Sequence, residues 1–98
     1  MIAIRIQDEN GRVLETFEDP NVLPVPEEFV ATPSCCLAFV DPYGDTTFNQ
    51  LQLPVLLEEL DSAIARSSPD FRWRLEKLRA FVGSAYERNH IYIKCIGE

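Results

Sequence analysis

The chain predicts an α+β fold: a small antiparallel sheet of about five strands with a helical hairpin on one face. Three features carry this. Ile2, Ile4 and Ile6 alternate with Ala3, Arg5 and Gln7, and Ile91, Ile93 and Cys95 alternate with Tyr92 and Lys94. This period of two marks a half-buried strand near each end. Between them, two apolar stripes recur at helical spacing. A proline-rich stretch separates the first strands from the rest, giving the order ββ-loop-ββααβ in a single domain, residues 1–98.

The first strand leads into Asp8-Glu9-Asn10-Gly11 and a second strand over Arg12–Phe17. A two-residue Asn10-Gly11 turn pairs Ile6 with Glu15. A three-residue Glu9-Asn10-Gly11 loop, with Gly11 left-handed at a bulge, pairs Ile6 with Leu14 and Arg5 with Glu15. The second is preferred because it sets apolar against apolar and opposite charges together. Asp19–Ser34 holds Pro20, Pro24, Pro26 and Pro33, which exclude a helix interior or a central strand. An ordered surface loop, tacked down by Val22, Leu23, Val25, Phe29 and Val30, is expected. Loops of this length are uncommon in small domains and are often functional.

Cys35–Val40 is apolar at every position and reads as a central strand covered on both faces. Asp41-Pro42-Tyr43-Gly44 is a turn with proline and glycine in favourable places, and Thr46–Asn49 is expected to return beside Cys35–Val40. Pro54 suits a first helical turn. Leu56, Leu57, Leu60, Ala63 and Ile64 form the inner stripe of that helix. Ser68 is the expected N-cap of the next, whose stripe is Phe71, Leu75, Leu78, Val82 and Ala85, widened by Phe81.

Twelve of the sixteen acidic residues lie within Met1–Asp61, beside only Arg5 and Arg12, whereas Arg66–Arg88 holds six cations against three acids. The net charge is −7. Such a field attracts basic partners and repels phosphate backbones, so nucleic-acid binding is not expected. The longest apolar run has six residues, far short of the ~20 of a spanning helix, and no basic, then apolar leader opens the sequence. A cytoplasmic location with no membrane association is expected. Cys35, Cys36 and Cys95 are odd in number and unspaced, which suits buried thiols better than a disulfide framework or a zinc site.

No phosphate-binding, nucleophile-elbow or zinc-protease motif occurs. Asp41, Asp45 and Asn49 supply oxygen atoms suited to a cation, but at turn and cap positions rather than at the alternate spacing of a calcium loop. No metal and no cofactor are expected. His90, with Cys36 or Cys95, or the Asp41/Asp45 pair, is the only chemistry available to an enzyme.

Asp41–Leu60, DPYGDTTFNQLQLPVLLEEL, resembles a run in small acidic bacterial proteins in which a DPYGDT-type turn leads into a leucine-rich helix. The resemblance implies a compact bacterial domain with no established reaction. Some proteins of this build resemble immunity proteins, which bind and block a toxin. The expected function is therefore non-enzymatic: a protein–protein interaction module, in its sharpest form an immunity- or antitoxin-like inhibitor docking its acidic face on a basic toxin. Tyr43, Asp45, Glu27, Glu28, Glu58 and Glu59 are the expected partner-binding residues. The alternatives are an accessory subunit, with acidic Met1–Asp61 of one copy meeting basic Arg66–Arg88 of another in a homodimer, a DNA-mimicking inhibitor, or a small enzyme.

Overall fold

The computed structural model describes residues 1–98 and shows four strands and two helices: β1 (Ile2–Asp8), β2 (Val13–Thr16), β3 (Asp45–Phe48), α1 (Leu53–Arg66), α2 (Pro69–Tyr86) and β4 (Ile91–Gly97). The sheet is antiparallel throughout, in the order β2-β1-β4-β3, so the two alternating segments lie side by side at its centre. Ile4 faces Cys95 and Ile6 faces Ile93 across that pair. Ile2, Ile4, Ile6, Ile91, Ile93 and Cys95 are buried on one face. Against them pack Leu53, Leu56, Leu57, Leu60 and Ala63 of α1 and Leu75, Leu78, Val82 and Ala85 of α2. The helical hairpin thus covers one face, as the stripes require. Arg5, Gln7, Tyr92, Lys94 and Ile96, on the other face, stay half-buried at most.

The α+β class holds, but one expected strand is absent. Cys35–Val40 is not a central strand. It is an irregular run containing the 3-10 turn Leu37–Phe39, and β3 pairs with β4 instead, Asp45 facing Ile96 and Phe48 facing Ile93. The cause is local. The amides of Cys35, Cys36 and Leu37 all donate to the Glu59 carboxylate, at 2.8, 3.1 and 2.9 Å, so none is left for a strand partner. Burial of Cys36, Leu37 and Val40 accounts for the apolar composition without a strand. Cys35 is exposed, against the expectation of three buried thiols.

The first hairpin combines both expected registers. Asp8 and Arg12 flank a three-residue loop, with the Asp8 amide donating to the Arg12 carbonyl at 3.0 Å and Gly11 at φ 83°. Beyond it, Gln7 faces Val13 but Ile6 faces Glu15, because Leu14 is an extra residue at a second bulge. The preferred Ile6–Leu14 pairing is therefore replaced. As an edge strand whose residues are all exposed, β2 offers little burial to hold the regular register.

Residues between β2 and β3 form one long connection. Val22, Leu23 and Val25 enter the core, and the 3-10 turn Glu27–Phe29 packs on α1, with Phe29 6.0 Å from the Phe71 ring. Entry to α1 is fixed by a reciprocal box. The Gln52 amide donates to Asn49 Oδ1 at 3.1 Å, and the Asn49 amide to Gln52 Oε1 at 2.8 Å. Ser68 occupies the N-cap of α2, but only its carbonyl takes part, accepting from Phe71 and Arg72.

Candidate partner-binding site

Three of the four cations of α2, all but Arg72, are paired with carboxylates of the same chain. Arg74 grips Asp19 through two bonds of 2.7 and 3.0 Å. Lys77 meets Glu18 at 3.2 Å, Arg79 meets Asp61 at 3.0 Å and Arg88 meets Glu15 at 3.1 Å. On the sheet, Lys94 reaches Asp45 at 3.5 Å. Of sixteen acids and nine Lys or Arg, five of each are thereby paired, leaving eleven carboxylates and four cations. The net charge of −7 therefore resides on groups without a Lys, Arg or carboxylate ion-pair partner, His90 being taken as neutral. Most of these paired groups are exposed, where each pair adds little stability, but their fields cancel locally.

Glu27, Glu28 and Glu58 belong to the unpaired set and are exposed. Glu59 faces inward. Its carboxylate accepts Ser34 Oγ at 2.6 Å as well as the three amides, so α1 clamps the loop at Ser34–Leu37. Burial works to raise its pKa, but the bonds from Ser34, Leu37, Cys35 and Cys36 together outweigh that and hold it below the usual glutamate value. This places its charge in the clamp rather than in solvent.

Above the clamp lies a groove of about 320 Å³. Its walls are Pro24, Val25, Val30, Leu37, Ala38 and Val40, with Glu27, Thr32 and Ser34 supplying the polar atoms. Phe39 is 69% exposed on the same run, and Tyr43 is 83% exposed on the following turn. That turn is fixed by the Tyr43 amide bonding Asp41 Oδ1 at 2.8 Å and by the Gly97 amide bonding the Gly44 carbonyl at 2.8 Å.

Of the expected residues, then, Glu27 and Glu28 sit on a 3-10 turn of the long loop, and Glu59 reaches from α1 to hold the same loop at Ser34–Leu37. Tyr43 stands on the next turn. Asp45 is drawn to Lys94 at the sheet edge, and Glu58 lies on the outer side of α1. The groove walls and Phe39 escaped sequence reasoning because Cys35–Val40 imitates a strand. The long proline loop was the available signal.

The residues considered for chemistry have other occupations. Asp41 and Asn49 accept amides of their own turns, and no three His, Cys, Asp or Glu converge as a cation site. His90, at φ 57° before β4, lies 3.6 Å from Glu9. Burial pushes the Cys36 thiol up to about 11 and the Cys95 thiol up to about 12, so both are protonated near neutral pH. No helix is long and apolar enough to cross a membrane.

Comparison with protein-family models, curated proteins and solved structures finds no match to this chain.

Proposed function

We propose that this protein is a non-enzymatic interaction module that docks a basic protein partner through exposed carboxylates, Glu27 and Glu28 on the long loop and Glu58 on α1. The observation that carries this reading is the separation of paired from unpaired charge. Arg74, Lys77 and Arg79 of α2 are matched within the chain, whereas these three carboxylates have no ion-pair partner, Glu27 lines the groove, and Phe39 and Tyr43 are exposed aromatics on the segment that follows. Interfaces commonly combine charge that speeds encounter with aromatic anchors that hold the complex. In its sharper form the module is an immunity- or antitoxin-like inhibitor, and the partner a toxin with a basic active-site surface. The DPYGDT-type turn before a leucine-rich helix supports that form by resemblance.

The test is association kinetics with the captured partner. Reversing Glu58 to Lys should slow association and flatten its dependence on ionic strength, while leaving dissociation nearly unchanged. An unchanged on-rate at all salt concentrations refutes electrostatic docking.

A further inference from the structure

We infer that the loop groove is the anchor pocket of this surface and accepts one long aliphatic cationic side chain, arginine or lysine, from the partner. The inference rests on the acidic-surface reading and gives it a specific contact. The walls are aliphatic, with Val25, Leu37 and Val40 buried at their bases and Val30 half-buried. A cavity of about 320 Å³ has room for such a side chain with solvent to spare. Glu27 is the only ionisable residue of the lining, and it makes no ion pair with any basic residue of the chain. A second carboxylate lies one shell deeper. Glu59 accepts from Ser34 Oγ at 2.6 Å and from the Leu37 amide at 2.9 Å, and both of those residues line the groove. No Lys, Arg or His opposes this pair of negative charges there.

Such a site discriminates by chemistry. Methylene groups gain contact with the valine and leucine walls, while the charged head remains near water and Glu27, the arrangement long cationic side chains favour. An acidic side chain is repelled, and an uncharged aliphatic one forfeits the carboxylate. The clamp at Ser34–Leu37 keeps one wall in place before a ligand arrives, which limits the ordering cost of binding.

The test uses the full chain with methyl-labelled Val and Leu, titrated with the N-acetyl methylamides of arginine, lysine and norleucine. A ligand of this size should bind with a Kd on the order of 1 mM, so titration to about 20 mM suffices. The expected result is saturable shifts confined to Val25, Val30, Leu37 and Val40 for a cationic analogue. Norleucine and the Glu27→Gln variant should each weaken binding at least several-fold. The arginine and lysine arms decide which head group is preferred. Absent shifts, or norleucine binding as well as the cations, overturn the inference. Salt-dependent association with a basic partner would then leave the acidic surface standing without its pocket. Loss of that salt dependence together with normal analogue binding would instead remove the acidic-surface reading and keep the pocket.

Discussion

Glu59 and Leu37, twenty-two positions apart, meet where the Leu37 amide donates to the Glu59 carboxylate at 2.9 Å. That bond belongs to a set in which one side chain of α1 takes the amides of three successive loop residues and a serine hydroxyl. An apolar segment that would otherwise seek a strand partner is thereby held as a loop, and the groove is held with it.

Replacing Glu59 by Gln removes the charge and sets an amide NH2 among donors. The loss should be about 2–3 kcal/mol, because hydrogen bonds to charged acceptors are strong and the stranded amides are partly buried. Urea unfolding at neutral pH should show the midpoint falling with the slope unchanged.

Acid should weaken the fold through two carboxyls. Glu59 lies below its ordinary value for the reasons given above. Asp19 does so chiefly through its hydrogen bond to Arg74. In both cases the folded state binds its proton less tightly than the unfolded chain. Their stabilisation is therefore complete above the unfolded carboxylate values of 3.8 and 4.5, and is lost as pH falls through the lower folded values. The urea midpoint should drop between about pH 6 and about pH 3, and the drop should be smaller when Glu59→Gln and Asp19→Asn are combined.

The cysteines should separate by access. Cys35 is exposed, whereas Cys36 and Cys95 are buried with thiols pushed up to about 11 and about 12. A thiol-reactive dye at mildly alkaline pH should modify one cysteine per native chain and three in denaturant. Rapid modification of all three in the native protein would contradict the packing.

Two glycines should differ in cost. Gly11 holds φ 83° with open space around it, so alanine there should lose about 1 kcal/mol through backbone strain alone. At Gly97 a Cβ would sit 2.6 Å from the Asp41 carbonyl oxygen and nearer still to the backbone of Pro42. Gly97→Ala should therefore lower the melting temperature more than Gly11→Ala, by prising the turn that bears Tyr43 off the end of β4.

Regular periodicity made the centre of the fold legible. Period two placed β1 and β4, and the stripes placed α1 and α2, because in each case half of the residues had to be buried. The segments that misled were those whose burial serves no regular element. Cys35–Val40 is apolar because Cys36, Leu37 and Val40 plug the end of the core, and only the distant Glu59 reveals that its amides are spoken for. The Leu14 bulge was equally hidden, since an exposed edge strand leaves no hydrophobic pattern to fix register. At the site, sequence pointed to the acidic loop through Glu27 and Glu28. It could not show that Arg74, Lys77 and Arg79 of α2 are consumed within the chain, because those pairs join residues up to fifty-nine positions apart.

The most direct measurement is a tagged capture from native extract at low salt, with wild type and the triple variant Glu27→Lys, Glu28→Lys, Glu58→Lys compared by quantitative mass spectrometry. A basic protein retained in stoichiometric amount by the wild type, eluted by salt and lost from the variant, is the predicted result. Retention of the same partner by the variant, or no stoichiometric partner for the wild type, would contradict docking through these three carboxylates.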